Sequence, residues 1–207
     1  MYLDVFDRNP YGTNCWLLAA DDTDGVVAID PGFEPDALRA ILDRAGRRLE
    51  AVVLTHGHVD HAQSAGSFAG AVPVYVHPDD LPAFADYEGW GGMGPVELDP
   101  VQDLRTFVDG DVLELAGFSI EVLHTPGHTP GSSTFRVGGE GIVCTGDLVF
   151  AGTIGRSDFT NSDPAAMRSS LIRFLTLPDE FRVLPGHGPE TTVGRERVAN
   201  PYLREVR

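Results

Sequence analysis

Short apolar runs bounded by turn residues recur along the chain and predict a fold rich in β-strands. The runs consist mainly of β-branched or apolar residues and are bounded by turn residues. Each run is too short for a helix. The pattern therefore predicts strands at 26–29, 52–54, 72–76, 120–123, 142–144 and 182–184.

Helical spacing of apolar residues occurs in fewer places. Residues 35–45 carry Ala and Ile at helical intervals and are followed by a glycine, and residues 165–175 follow an Asp-Pro pair typical of a capped helix. A third helix is expected from about residue 60 to residue 69. The Gly- and Pro-rich segment 87–100 is expected to be a long surface loop.

Composition and charge exclude several classes of protein. The chain has 207 residues, of which 42% are hydrophobic and 22% charged, so we expect a single globular domain over residues 1–207. All 15 basic residues are Arg, and the net charge of −16 argues against nucleic acid and anionic membranes as partners. Without a membrane span or a basic, apolar leader, a cytoplasmic location is expected, for a monomer or a homodimer. Cys15 and Cys144 fit no Cys-x-x-Cys pattern and are expected to be buried thiols.

Four of the predicted strands stop at turns that contain metal-binding residue types. If these strands run in the same direction, their ends meet at one edge of a sheet, where sites in α/β proteins usually form. The candidate ligands in these turns are His56, His58, Asp60, His61, His128, Asp147 and His187.

Imidazole and carboxylate donors suit Zn, Fe or Mn, and the lack of thiolates argues against a closed structural zinc site. Four of the donors lie within six residues, so they cannot all reach one tetrahedral ion. Two ions with positions open to water indicate catalysis rather than a structural role. We therefore expect two divalent metal ions, zinc first, with these ligands: His56, His58 and His128 on the first, Asp60, His61 and His187 on the second, and Asp147 bridging both.

The segment His56-Gly57-His58-Val59-Asp60-His61, with the later ligands in the same order, resembles the metallo-β-lactamase superfamily. The resemblance implies an α/β fold, an αβ/βα sandwich of two mixed β-sheets flanked by helices, with the site at one edge. It also implies the ligand division given above. Residues 150–159 resemble the short, glyoxalase II-like (hydroxyacylglutathione hydrolase-like) branch, here without the carboxy-terminal helical domain of glyoxalase II.

This branch implies hydrolysis of a thioester, S-D-lactoylglutathione or a similar hydroxyacyl thioester, by a metal-activated hydroxide. Asp60 and Asp147 are the expected catalytic residues, and Asp60 would orient the hydroxide. The leaving thiolate has an intrinsic pKa of about 8.5, so it departs without a strong general acid.

Two further residues have candidate roles beside the metal ligands. Asp30 would accept a hydrogen bond from a ligand histidine, or else only cap its Asp-Pro-Gly turn. Arg156 would bind a carboxylate of the substrate, or else form a surface ion pair. The early loop with Tyr11, Thr13 and Asn14 is a further candidate to reach the site, although no sequence pattern shows that it does.

Two other activities fit the same ligand types. A persulfide dioxygenase would hold one iron on His56, His128 and Asp147 and would consume oxygen. A lactone or other ester hydrolase on the same fold would cleave oxygen esters without releasing a thiol. Iron content with oxygen uptake separates the first of these from a thioesterase, and thiol release separates the second.

Overall fold

The computed structural model describes residues 1–68, 72–86, 90, 98 and 100–206. These residues form two large β-sheets and one small hairpin. The strands of the first sheet are β1 (Tyr2–Phe6), β2 (Cys15–Ala19), β3 (Gly25–Ile29), β4 (Arg48–Val53), β5 (Val74–Val76) and β6 (Leu104–Thr106). The later strands are β7 (Val112–Leu115), β8 (Phe118–His124), β9 (Ser133–Val137), β10 (Ile142–Gly146), β11 (Val149–Phe150), β12 (Thr153–Ile154), β13 (Arg182–Pro185) and β14 (Thr191–Thr192).

Both large sheets are mixed. In the first, β1 to β6 lie side by side in chain order, antiparallel up to β3 and parallel from β3 onward. In the second, the order is β14-β13-β10-β9-β8-β7, and the β10–β13 pair is parallel. The strands β11 and β12 form the separate hairpin. The expected sandwich of two mixed sheets is confirmed.

The helices are α1 (Pro35–Ala45), α2 (Val59–Ala62), α3 (Pro82–Ala85), α4 (Pro164–Phe174), α5 (Val193–Ala199) and α6 (Pro201–Glu205). The predicted helix at 35–45 is confirmed, and the one at 165–175 begins one residue earlier, where the Asp163 carboxylate accepts the N–H groups of Ala165 and Ala166. No helix among the described residues is long and apolar enough to cross a membrane.

The prediction of one helix over 60–69 is wrong. The α-helix ends at Ala62 and continues as a 3₁₀-helix over Gln63–Phe68, while Ala69 lies outside the described residues. Two serines and a glycine weaken helix propensity there, and the Ser64 N–H donates to the carbonyl of Gly32. Most of the predicted surface loop 87–100 also lies outside the described residues.

The core lies between the two sheets, and helices cover their outer faces. Leu17 and Val52 from the first sheet share one buried cluster with Ile120 and Phe135 from the second. The helices α1 and α4 pack their apolar sides on the first and second sheet respectively. Cys144 faces the inner cluster, and Cys15 is equally buried, so both cysteines are the buried free thiols that were predicted.

The four ligand-bearing strand ends do meet, but they come from two sheets rather than one. The strand β4 belongs to the first sheet, whereas β8, β10 and β13 belong to the second. Within the second sheet, β8 and β10 are both antiparallel to β9, and β13 is parallel to β10. The strands β8, β10 and β13 therefore run in the same direction. The site therefore lies at one edge of the sandwich, where the ends of both sheets come together.

Candidate metal centre

The loop after β4 divides its four candidate ligands between two local structures. His56 and His58 lie in the extended turn, and Asp60 and His61 lie in the first turn of α2. Gly57 permits the close approach of this turn to α3, because a Cβ atom there would lie 3.0 Å from the Cβ of Ala83. The break between turn and helix points the two pairs of side chains in different directions.

The first cluster consists of His56, His58 and His128, which offer one nitrogen each within 4.8 Å of one another. All three residues are buried. The Nδ1 of His58 lies 2.8 Å from the Nε2 of His128. This is the set of residues that the sequence predicted for the first ion.

The second cluster consists of Asp60, His61 and His187. The Oδ2 of Asp60 lies 3.2 Å from the Nε2 of His187 and 3.5 Å from the Nε2 of His61. His187 is the most exposed of the three, and its side chain opens toward the adjoining cavity. This is the set predicted for the second ion.

Asp147 lies between the two clusters. Its Oδ2 is 3.3 Å from the Nε2 of His128, and its Oδ1 is 3.4 Å from the Nε2 of His61 and 3.7 Å from that of His187. One carboxylate oxygen thus faces each cluster, which is the arrangement expected of a bridging ligand.

The unsatisfied atoms of the site fit bound cations. The Nε2 atoms of His56 and His61 and the Oδ1 of Asp147 are buried without a hydrogen-bond partner. A buried polar atom left unpaired costs about 1–3 kcal/mol. Because all three atoms belong to the two clusters, divalent ions held there would satisfy them together.

Four of the ligand histidines are oriented by hydrogen bonds on Nδ1, the ring nitrogen that does not face its cluster. In each case Nδ1 contacts an oxygen, so the proton sits on Nδ1 and the lone pair of Nε2 faces the cluster. The pairs are His56 with Thr55 Oγ1 (3.0 Å), His61 with Asp30 Oδ2 (2.9 Å), His128 with the Arg156 carbonyl (2.7 Å) and His187 with the Gly12 carbonyl (3.3 Å).

Asp30 connects the end of β3 to the ligand loop. It is buried, and its carboxylate accepts the Thr55 N–H and the Thr55 hydroxyl, both at 2.7 Å, as well as the proton of His61 Nδ1. The hydroxyl of Thr55 in turn accepts from His56. One carboxylate therefore orients a histidine of each cluster, one directly and one through Thr55.

The charges of the site favour cations. Burial and the neighbouring histidines lower the pKa of His58 to about 3 and that of His56 well below its usual value. Burial opposes ionisation of Asp147, but His61 and His128 bring its pKa down to about 2. The carboxylates of Asp60, Asp30 and Asp147 raise the pKa of His61 in spite of its burial. Neutral His56 and His58 beside ionised carboxylates are ready for divalent metal, whereas His61 would release a proton when an ion binds.

No sequence pattern showed whether the candidate early loop reaches the site, but the structure shows that it does. The Thr13 hydroxyl donates to Asp60 Oδ2 over 3.1 Å, and the backbone of Thr13 forms a bridge with His187. The Asn14 amide donates to the carbonyls of Pro185 and Gly188. These bonds join residues more than 40 positions apart, and the sequence contains no signal for such pairings.

Asp80 was also missed. It is fully buried and accepts the N–H of Gly57 (2.8 Å), the N–H of Gly131 (2.6 Å) and the hydroxyl of Thr129 (2.7 Å). It thereby joins the turn that carries His56 and His58 to the turn that follows His128. An Asp after Pro-Asp is typical of an exposed turn, so the sequence offered no sign of this role.

A cavity of about 320 Å³ opens onto both clusters. Apart from the ligands, aromatic and aliphatic side chains dominate its wall, among them Tyr11, Phe150, Ile154 and Phe159. Arg156 also lines it, with the guanidinium 4.5 Å from the centre of the Phe159 ring and paired with Asp158 at 2.8 and 3.1 Å. Arg156 is thus both a cavity residue and a member of a surface ion pair.

His77, Asp79 and His124 also bring three donors together, away from this cavity. The two imidazoles are stacked, with centroids 4.0 Å apart and planes inclined by 9°. Lone pairs in parallel planes cannot converge on one ion. His77 Nδ1 also accepts the Asp79 N–H, and His124 Nε2 lies 2.9 Å from the Pro130 carbonyl oxygen. This cluster is a stacked histidine pair and not a preformed metal site.

Comparisons with known proteins agree with the fold. A hydroxyacylglutathione hydrolase, GloC of Haemophilus influenzae, is 33% identical over 98% of each chain. Two crystal structures each match 98% of this chain: the B3 metallo-β-lactamase BLEG-1, with 99% of its own chain covered (TM-score 0.90, 31% identity), and TTHA1623 in a di-iron-bound form, with 100% covered (TM-score 0.81, 39% identity). The sequence-family model of the metallo-beta-lactamase superfamily matches residues 8–187. The chain therefore belongs to the metallo-β-lactamase superfamily.

Proposed function

We propose that this protein is a metal-dependent hydrolase that cleaves a thioester, S-D-lactoylglutathione or a similar hydroxyacyl thioester. The observation that carries the proposal is the pair of donor clusters, with Asp147 between them, at the floor of an open cavity. The similarity to GloC supports a glutathione-derived substrate.

The proposed cofactor is a pair of divalent ions. We propose zinc on the imidazole and carboxylate donors, with iron or manganese as alternatives that the same donors suit. When bound, such ions polarise a carbonyl oxygen and lower the pKa of coordinated water to about 7. The ligands would be His56, His58 and His128 for one ion, Asp60, His61 and His187 for the other, and Asp147 for both.

Asp60 has a second role in this proposal. It lines the cavity, and His61 and His187 hold the pKa of its carboxyl low in spite of burial, so it stays ionised at neutral pH. Its carboxylate can accept a hydrogen bond from the attacking water and so orient the oxygen toward the thioester carbon. The bond formed is carbon to oxygen, the bond broken is carbon to sulfur, and the products are a carboxylic acid and a thiol.

Arg156 and Phe159 would contact the substrate at one side of the cavity. Phe159 packs edge-on against the rings of His58 and His128, with centroid distances of 5.4 and 5.8 Å. We propose that Arg156, stacked on Phe159, binds a carboxylate of the thiol part of the substrate. Asp158 holds the guanidinium in place but also competes for it.

The proposal is tested by measuring free thiol released from S-D-lactoylglutathione by protein of known metal content. Rapid release is expected from the wild type, and Asp147→Ala is expected to abolish it because both clusters lose a donor. Asp79→Ala is the matched control, since Asp79 is an exposed carboxylate away from the site. No release by folded, metal-loaded protein would reject the thioesterase.

Two parallel assays separate the competing activities. A chromogenic cephalosporin tests β-lactam hydrolysis, because the similar protein BLEG-1 is a B3 metallo-β-lactamase. Oxygen uptake with glutathione persulfide, measured together with iron content, tests the dioxygenase. Thiol release without either of these signals is the expected result.

A further inference from the structure

The hairpin formed by β11 and β12 is a wall of the cavity. Phe150 and Ile154 from this hairpin line it, and the Phe150 ring packs edge-on against His187 at a centroid distance of 5.7 Å. Each strand has only two residues, and the turn between them places Gly152 at a φ of 81°. A hairpin of this size is not stable by itself, so its position must be set by other contacts.

Two buried side chains from the last helices hold this hairpin. The Glu196 carboxylate accepts the Gly152 N–H at 2.7 Å. The Asn200 amide nitrogen donates to the carbonyl of Thr153 at 2.9 Å and lies 3.4 Å from that of Phe150. Glu196 and Asn200, called the hairpin clamp below, thus bind the hairpin through its backbone.

The hairpin clamp is itself rigid. Asn200 donates to Glu196 over 3.0 Å, and the other carboxylate oxygen of Glu196 accepts the Thr191 hydroxyl over 2.6 Å. The Asn200 side-chain oxygen accepts the N–H of Tyr202 and so caps α6. Both clamp side chains are almost completely buried. Buried polar groups with every bond satisfied fix a single geometry.

We propose that Glu196 and Asn200 are positioning residues that set the acyl selectivity of the site, by fixing Phe150 and Ile154 in the cavity wall. This inference rests on the proposed thioesterase function. Phe159 and the positively charged Arg156 adjoin the first cluster, where the thiol part of the substrate would bind. The apolar hairpin beside His187 is left for the acyl group.

Two variants separate this role from general support of the helices. Asn200→Ser keeps a residue that can cap α6 but removes the amide donors that reach the hairpin. Thr192→Ala removes the cap of α5, where the Thr192 hydroxyl accepts the Arg195 N–H, and leaves the hairpin clamp intact. Glu196→Leu, which removes both acceptor oxygens, is a second clamp variant if Asn200→Ser does not fold.

The experiment compares kcat/KM for thioesters of one thiol that carry acyl groups of increasing length. Asn200→Ser is expected to change the ratio between short and long acyl groups by about 10-fold, within the range of a one-methylene change in an apolar pocket. Thr192→Ala is expected to keep the wild-type ratio, and both variants should retain wild-type metal content. An unchanged ratio in Asn200→Ser, or equal changes in both variants, would overturn the proposal.

A second measurement does not depend on the reaction. Hydrogen exchange of the Gly152 amide is expected to be faster in Glu196→Leu, which has no oxygen to accept this N–H, than in wild type and unchanged in Thr192→Ala. Absence of thioesterase activity in the wild type would reject the proposed function and the selectivity that rests on it. Protected Gly152 exchange in Glu196→Leu would instead show that the hairpin is held without the clamp.

Discussion

Replacing Asp80 by alanine tests how the two turns of the first cluster are held together. Burial raises the pKa of Asp80 to about 6 although its three donors lower it, so the side chain is ionised at pH 7.5. Alanine would leave the N–H groups of Gly57 and Gly131 buried without the carboxylate that accepts their hydrogen bonds. The Thr129 hydroxyl would still have Ser132, whose oxygen lies 2.8 Å away.

The loss of stability expected for Asp80→Ala follows from the two buried N–H donors that lose their acceptor. At about 1–3 kcal/mol for each buried donor, Asp80→Ala should lower the free energy of unfolding by about 2–6 kcal/mol. For a chain of this size, this corresponds to a fall in Tm of roughly 4–24 °C. Because Gly57 lies between two ligands, metal affinity of the first cluster should also fall by about 10- to 100-fold, as for other residues that orient metal ligands.

The assay is thermal unfolding at pH 7.5 with and without added zinc, followed by chelator competition. Asp79→Ala is the matched control, because Asp79 adjoins Asp80 in sequence but its carboxylate is exposed. If Asp80→Ala unfolds at the same temperature as Asp79→Ala and binds zinc as tightly, the inference that Asp80 connects the two turns is refuted.

The remaining predictions concern three other positions. Thr13→Val removes the hydroxyl that donates to Asp60 and should weaken binding of the second ion by about 10-fold, measured by chelator competition. Gly186→Ala would place a methyl group on the Asp147 carboxylate and should lower activity by about 100-fold, with metal loss seen by elemental analysis. Burial and the stacked imidazole of His124 lower the pKa of His77. The folded protein therefore loses stability as the pH falls below about 6.5, the usual pKa of histidine, because the unfolded chain takes up this proton more readily. His77→Asn should lose less stability than wild type between pH 7.5 and 5.5 in urea unfolding.

The sequence was sufficient to predict the elements whose signals are local. The apolar runs at 52–54 and 142–144 became β4 and β10, and the helix at 35–45 was predicted with its observed bounds. The candidate ligands could be found because each follows a short apolar run in a turn. Their division into two clusters followed from the impossibility of placing four nearby donors on one ion.

Other features depend on partners that are distant in sequence. The helix predicted to reach residue 69 changes to a 3₁₀-helix because the Ser64 N–H bonds to Gly32 instead of to the helix. Asp80 and Thr13 are ordinary polar residues in turns until the fold brings Gly131 and Asp60 to them. The placement of the ligands on two sheets could not be predicted either, because the residues of a short apolar strand do not specify which sheet it joins.

The same distant contacts explain how the site can exist before metal binds. The Nδ1 of His58 and the Nε2 of His128 stay 2.8 Å apart only if the two turns that carry them keep their relative position. Asp80 fixes this position because it binds the backbone of both turns from outside the cluster. Asp30 does the same for the second cluster by holding His61 against the end of β3. The rigidity needed to hold unpaired donors together is therefore supplied by buried carboxylates that do not themselves face the metal positions.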